Sequence, residues 1–195
     1  ISQIKAQTGI RFEKSLRKVF ERKRVAEYLS EGSYLIEPSH SAVYVARMLN
    51  NKWQTPTRLT LGGSLRLKSE IAAKIGRQMM LDSAEVHVAL EDEVFLRKFG
   101  VTPKTVFSLI IPDTYEIWWD ESLSSLFSRF TKEYDDFWTE ERDRKAKELK
   151  LSRLQVSILA SIVNCESNYV PEYPKIAGVY LTRLNRGMKL QADPT

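Results

Sequence analysis

One acidic side chain could do chemistry because it ends a long uncharged run. No residue from Leu154 to Val163 is charged, and the first carboxylate after that run is Glu166. At 100° per residue on a helix, Glu166 projects within about 20° of Leu159 and about 40° of Ile162, so we expect it to continue the apolar face and point inward. Burial at a helix C-terminus favours the protonated acid. The pattern predicts a carboxyl group that serves as general acid and base.

The same carboxylate has a purely structural interpretation that the sequence leaves open. A residue in the last turn of a helix can turn to solvent or pair with a nearby cation, and Lys175, Arg183 and Arg186 follow within the same stretch. Carboxylates in structural ion-pair networks are perturbed as well. The residue pattern alone does not separate a catalytic acid from a structural one.

The helix that carries Glu166 has readable limits. Ser152 and Gln155 form a capping-box pattern, in which the two side chains bond backbone N–H groups of the first turn, so the helix is predicted to begin there. Pro171 and Pro174 cannot continue a helix, which places Glu166 in or just past its last turn. Apolar residues cover most of the circumference, as is typical of a helix inside a domain core.

The cysteine and the histidines of the chain do not indicate a further reactive site. The one cysteine, Cys165, has no nearby histidine to activate it, so we expect a small core residue rather than a nucleophile. The two histidines, His40 and His87, lie in no metal-ligand spacing. No metal and no cofactor is predicted.

Three blocks near the C-terminus occur in a fixed order: LASIVNCES from Leu159, KIAGVYLTRL from Lys175, and GMKLQADPT from Gly187. In type and spacing they resemble the endolytic murein transglycosylases, also called the MltG/YceG-like family, with its LASIVEKET-type helix, its K-(V/I)-A-x-V-(F/Y)-x-N-R-L helix and its G-M-x-L-Q-(T/S)-D-P-T block. Upstream, IPDTYEIWW from Ile111 and EGSYLI from Glu31 resemble two further family blocks. The resemblance covers nearly the whole chain and is strongest after Pro112.

The resemblance implies a peptidoglycan lytic transglycosylase, which cleaves the MurNAc-β-1,4-GlcNAc bond inside glycan strands and leaves 1,6-anhydro-MurNAc ends. The second acid of the family's E-K-E-T is its catalytic residue and corresponds to Glu166, while Asn164 and Cys165 replace the first acid and the lysine. Thr182 and Ala192 are further departures. The implied substrate contacts are Ser167, Asn168, Tyr115, Arg183, Gln191 and Asp193.

Two of these residues have a structural alternative. Tyr115 belongs to an aromatic group with Trp118 and Trp119, whose rings either stack on sugar faces or fill a core. Asp193 either assists the chemistry or caps the turn at Pro194. One acid is enough for a lyase, because the sugar's own C6 hydroxyl is the nucleophile and no second carboxylate is needed to hold water.

The resemblance also implies partners and a location. These are peptidoglycan strands and cell-wall synthases, at the inner membrane with this region in the periplasm. The expected N-terminal anchor helix and the rest of the catalytic domain lie outside these 195 residues, so we expect the stretch alone to be weakly active or inactive. The alternative is a non-catalytic peptidoglycan-binding scaffold. A nucleic-acid partner would rest only on the net charge of +5 and is not expected.

The predicted fold class is α+β: a small LysM-like αβ subdomain, then a mainly helical part that carries the lysozyme-like glutamate. The expected division is 1–65, 66–150 and 151–195. The run Arg11 to Arg24 reads as a solvated helix face. Two further strands are predicted, at Tyr34 to Ile36 and at Thr57 to Leu61. The predicted helices are one that begins after Ser41 and ends at Asn50, two at Lys68 to Met80 and Ser83 to Leu90, and one long helix from Leu123 to Leu149.

Overall fold

The structure is a computed structural model that describes residues 13–63 and 65–190. It divides into two compact units. Unit 1 holds the described residues up to 95 together with 112–128, and unit 2 holds 96–111 and those from 129 onward. The chain therefore passes between the units three times. The three domains predicted from the sequence stay a prediction.

Helices dominate the described residues, with one two-stranded sheet, so the α+β class is confirmed. Two short 3-10 turns lie at Val106–Ser108 and Val170–Glu172. In chain order the elements are α1 (Glu13–Arg22), α2 (Val25–Tyr28), α3 (Ala42–Asn50), β1 (Thr57–Thr60), α4 (Lys68–Gln78), α5 (Ser83–Ala89), α6 (Glu93–Arg97), β2 (Thr114–Ile117), α7 (Leu123–Phe137), α8 (Glu140–Glu148), α9 (Arg153–Glu166) and α10 (Tyr173–Asn185). Within the described ranges, no helix has both the length and the apolar composition needed to cross a bilayer.

The sheet of unit 1 joins two segments that are distant in sequence. Strands β1 and β2 are antiparallel, with Leu59 opposite Tyr115 and Thr57 opposite Ile117. Leu59, Tyr115 and Ile117 are all buried, because alternate residues of a strand point to the same face of the sheet.

A second contact in unit 1 joins α4 to α5, where a Cβ at Gly76 would lie only 3.0 Å from the Ser83 backbone nitrogen. A side chain there would be tighter than ordinary contacts allow, so the close approach of the two helices favours glycine.

One predicted strand is wrong. Residues 34–36 belong to no strand: Thr55 donates one backbone hydrogen bond to the Ser33 carbonyl at 2.8 Å, and Leu35 donates to the Thr55 hydroxyl at 3.2 Å. The strand predicted at Thr57 to Leu61 is confirmed as β1, but its partner is β2, inside the aromatic block from Ile111, where no strand was predicted. Alternation identified the strand and could not identify its partner.

The basic run near the N-terminus forms the expected helix with a solvated face. Helix α1 covers Glu13–Arg22, while Arg11 and Phe12 lie outside the described residues. Its apolar side, Leu16 and Phe20, packs in a small core with α3. Helix α3 begins where predicted, since the Ser41 hydroxyl accepts a hydrogen bond from the Tyr44 backbone at 3.2 Å.

The long helix predicted from Leu123 to Leu149 is two helices. Helix α7 ends at Phe137, and α8 begins at Glu140 after Thr139, which has φ −63° and ψ 160° and caps α8 by accepting from the Arg142 backbone at 3.4 Å. Such a cap gives backbone N–H groups a partner outside the helix and so lets a new helix start. The apolar positions of the predicted helix stop at Trp138 and residues 139–145 contain none, so periodicity gave no information about the break.

An ion pair in unit 2 ties α9 to α8. The guanidinium of Arg153 bonds Asp143 through both carboxylate oxygens, with Nε at 2.7 Å from Oδ1, and its Nη1 lies 3.4 Å from Asp135 on α7. The central guanidinium carbon of Arg153, Cζ, also lies 5.4 Å from the ring centroid of Trp138. The hydrogen bond from Arg153 holds the pKa of the Asp143 carboxyl below its usual range. The first turn of α9 is thereby held against the two preceding helices.

The lowered pKa of Asp143 predicts a loss of stability in acid. A carboxyl whose pKa is lower in the folded chain stabilises it above the unfolded value of about 3.9, and this stabilisation is lost as pH falls through the folded pKa. We therefore expect the unfolding free energy of Asp143→Asn to fall less steeply in acid than that of the parent chain, as measured by urea unfolding from pH 7 down to pH 2. Asp136→Asn removes a neighbouring charge without touching the ion pair and should keep the parent slope. Equal slopes for the parent and Asp143→Asn would contradict the assignment.

Candidate active site

The helix that carries Glu166 begins and ends as the sequence predicts. The Ser152 hydroxyl accepts from the Gln155 backbone at 3.2 Å, and the Gln155 side chain accepts from the Ser152 backbone at 2.8 Å, so the capping box is confirmed. Helix α9 ends at Glu166, and Ser167 is extended with φ −148°. A short turn then leads into α10. The carboxylate therefore lies beside the turn that joins the two helices of a hairpin.

Helices α9 and α10 bury one face against each other. The centre of their contact is Leu159 and Val163 of α9 with Tyr180 of α10. The expectation that α9 is buried on most sides is wrong, because Ile158 is 47% exposed and Ala160 is exposed too. An all-round apolar pattern shows which faces could be buried, and the number of neighbouring elements decides how many are.

Glu166 does not point into a core as expected. The residue is exposed, and one carboxylate oxygen, Oε1, accepts a hydrogen bond of 2.6 Å from the hydroxyl of Tyr180. That tyrosine is only 3% exposed, so a buried donor holds an exposed acceptor. Among residues 13–63 and 65–190, Oε2 of Glu166 has no hydrogen-bond partner and the carboxylate forms no salt bridge. The cation pairing that the sequence left open is thus absent from the described part of the chain.

The bond to Glu166 also fixes the protonation state of the tyrosine. Accepting this hydrogen bond, the Glu166 carboxylate raises the pKa of Tyr180 above its usual value; burial of the phenol and the negative charge of Glu166 act in the same direction, and Arg183 opposes them. An ordinary tyrosine titrates near pH 10, so Tyr180 stays protonated under physiological conditions. Its hydroxyl therefore keeps the proton that it donates to Glu166.

The residues around Glu166 are also held by side chains. The hydroxyl of Tyr173 donates to Oδ1 of Asn164 at 2.8 Å. The hydroxyl of Ser167 donates to a carboxylate oxygen of Glu172 at 2.8 Å and accepts from the Tyr169 backbone at 3.0 Å. A second carboxylate, that of Glu172, is therefore hydrogen-bonded to Ser167, the residue next to Glu166. We call these polar side chains beside the turn, Asn164, Ser167, Glu172 and Tyr173, the polar rim.

The residues predicted to bind substrate are not all at this rim. Ser167 and the exposed Asn168 follow Glu166 directly, and Arg183 on α10 donates from Nε to the Lys189 carbonyl at 2.9 Å. Gln191 and Asp193 lie outside the described residues.

Two further expectations about side chains need correction. Tyr115 is 4% exposed in the core of unit 1, so its ring is not available to stack on a sugar, although Trp118 is 43% exposed. Cys165 is exposed rather than a core residue, because α9 has no neighbour on that side within the described residues. Among those residues, no group of three histidine, cysteine, aspartate or glutamate side chains could hold a metal ion.

The role of Tyr180 was not predicted from the sequence. It follows Glu166 by fourteen positions and lies among the apolar residues of the next helix, where a tyrosine reads as ordinary core. A buried phenol needs a hydrogen-bond partner for its hydroxyl, which was the available signal. Only the pairing of the two helices shows that the partner is Glu166.

Comparison with known proteins agrees with this architecture. A crystal structure at 2.6 Å of a YceG-like protein from Listeria monocytogenes is similar in fold, with a TM-score of 0.61 over 99% of this chain and 68% of that chain, at 20% sequence identity. The family model of the YceG-like family matches residues 1–195, and the chain belongs to that family. No curated protein matches the chain.

Proposed function

We propose that this chain is the part of an endolytic murein transglycosylase that carries its catalytic acid. The substrate is the glycan strand of peptidoglycan, cut at internal MurNAc-β-1,4-GlcNAc bonds to leave 1,6-anhydro-MurNAc ends. The observation that carries the proposal is the state of Glu166, whose carboxylate is held through one oxygen by a buried tyrosine while the other oxygen has no partner among the described residues. Membership of the YceG-like family supports the same assignment.

The proposed reaction needs one carboxyl group used twice. As acid, Glu166 protonates the glycosidic oxygen, and the bond from that oxygen to the anomeric carbon breaks. As base, the resulting carboxylate takes the proton of the C6 hydroxyl while that oxygen bonds to the anomeric carbon. No water is consumed, and the enzyme returns to its starting state. The intramolecular nucleophile has a high effective concentration, which replaces the second carboxylate of ordinary glycosidases.

The exposure of Glu166 bears on how the acid works. An acid that is to donate a proton near neutral pH benefits from a dry environment. A glycan strand lying across the end of the hairpin would cover Glu166 and supply that environment when it binds. The proposal thus assigns the removal of water from Glu166 to substrate binding.

The exposure of Glu166 also favours a second candidate, a non-catalytic scaffold that binds peptidoglycan. In that case Glu166 would be a surface carboxylate that Tyr180 happens to bond. Both candidates share peptidoglycan strands as the ligand, cell-wall synthases as further partners and a periplasmic site at the inner membrane. They differ in whether the chain breaks a bond.

Glu166→Gln separates the two candidates. Glutamine keeps the shape of the side chain and a hydrogen-bond acceptor for Tyr180, but it cannot transfer a proton, so cleavage of glycan strands by the full-length protein should fall by about 10²- to 10⁴-fold. The melting temperature should change little. Glu148→Gln, on the exposed end of α8, is the control and should cleave at the parent rate. Near-parent cleavage by Glu166→Gln would remove Glu166 from the chemistry.

The mass of the product separates a lyase from a hydrolase. Uncrosslinked glycan strands digested by the full-length protein should give muramyl ends one water lighter than hydrolysis would, with cuts inside the strands. A hydrolytic pair would need a second carboxylate, for which Glu172, hydrogen-bonded beside the site, and Asp193 are the candidates. Reducing muramic acid ends as the dominant product would show that water is the nucleophile and that the proposed reaction is wrong, and their loss in Glu172→Gln or in Asp193→Asn would identify the second carboxylate.

A further inference from the structure

The bond from Tyr180 to Glu166 needs an account beyond packing. The phenol ring lies in the contact between α9 and α10, and apolar burial alone explains its position there. The hydroxyl has the more specific role, since its 2.6 Å bond to Oε1 has the length of a strong bond to a charged acceptor. It joins a rigid, buried donor to the one carboxylate proposed to do the chemistry.

A structural role for the bond is the obvious alternative, and the same hairpin contains a comparison. Tyr173 lies on the same helix as Tyr180 and donates to Asn164 in the last turn of α9 at 2.8 Å. Each bond therefore joins α10 to the end of α9. If bonds of this kind only hold the hairpin together, removing either hydroxyl should have a similar effect on the protein.

A free carboxylate would not distinguish its two oxygens. The terminal torsion of a glutamate side chain is broad and roughly two-fold, so rotation exchanges Oε1 and Oε2. A short bond to one oxygen from a side chain fixed by packing opposes that exchange. With Oε1 engaged, Oε2 is the oxygen that can meet a substrate.

We propose, resting on the function proposed above, that Tyr180 is a positioning residue that holds Oε1 of Glu166 and thereby assigns both proton transfers to Oε2. In the first step the proton on Oε2 moves to the glycosidic oxygen, which keeps the electron pair of the breaking bond. In the second step the C6 oxygen bonds to the anomeric carbon and its proton returns to Oε2. Tyr180 keeps its own proton throughout.

Kinetics of three variants of the full-length protein test this assignment. Tyr180→Phe keeps the buried ring and loses the hydroxyl, so kcat should fall about 10- to 100-fold, the scale expected for a misplaced catalytic group, with KM within about 2-fold of the parent. Tyr173→Phe is the matched control, because it loses a bond between the same two helices; its kcat and KM should both stay within about 2-fold. Glu166→Gln supplies the baseline without proton transfer.

A titration of Tyr180 tests the contact without any activity. With ring-carbon-labelled tyrosine, the Tyr180 resonance is identified by its absence in Tyr180→Phe and titrated in the parent and in Glu166→Gln. Because the carboxylate raises the pKa of Tyr180, replacing it by a neutral amide should lower that pKa toward the ordinary value. If Tyr180→Phe fails to fold, the resonance that moves in Glu166→Gln but not in Tyr173→Phe serves as the assignment.

Each outcome decides the proposal. Parent-like kcat in Tyr180→Phe, together with an inactive Glu166→Gln, would overturn the role of Tyr180 and leave the proposed function standing. Equal losses in Tyr180→Phe and Tyr173→Phe would reduce the bond to a structural tie. No tyrosine resonance that responds to Glu166→Gln would mean that the contact does not exist. Normal cleavage by Glu166→Gln would remove the proposed function and this assignment together.

Discussion

The candidate site depends on one hydrogen bond, from the buried hydroxyl of Tyr180 to the exposed carboxylate of Glu166. Two other features make that bond possible. The capping box at Ser152 and the ion pair between Arg153 and Asp143 fix where α9 begins. The packing of α9 on α10 then holds its C-terminal half in place. A glutamate in the last turn of a helix held at both ends has little freedom beyond its own side-chain torsions. The hydrogen bond from Tyr180 restricts the terminal torsion, which orients the carboxylate.

The features that the sequence predicted well are local. The caps at Ser41 and Ser152 depend on residues within one turn of the helix, and both are confirmed. Strand β1 shows itself by alternation over a few residues. In each case the physical cause and the pattern that reports it lie in the same short segment.

The features that the sequence could not predict depend on what lies opposite a residue. The prolines that follow Glu166 correctly put it at the end of its helix, but periodicity could not tell that this end meets solvent on one side and Tyr180 on the other. The same limit explains the pairing of β1 with β2 and the burial of Tyr115. The split between α7 and α8 was missed for a different reason, since the helix that Thr139 caps begins in a charged segment without apolar residues, where periodicity gives no signal. The position of the candidate acid was thus predictable, and its surroundings were not.

The central claim is that Glu166 meets the scissile bond through the oxygen that Tyr180 leaves open. The most direct test is a crystal structure of the full-length Glu166→Gln protein with an uncleaved glycan oligosaccharide. Our account predicts that one side-chain atom of position 166 lies within about 2.6–3.2 Å of the glycosidic oxygen, the reach required of a general acid, while the other contacts the hydroxyl of Tyr180. A glycan that binds with its glycosidic oxygens beyond hydrogen-bond reach of position 166 would contradict it.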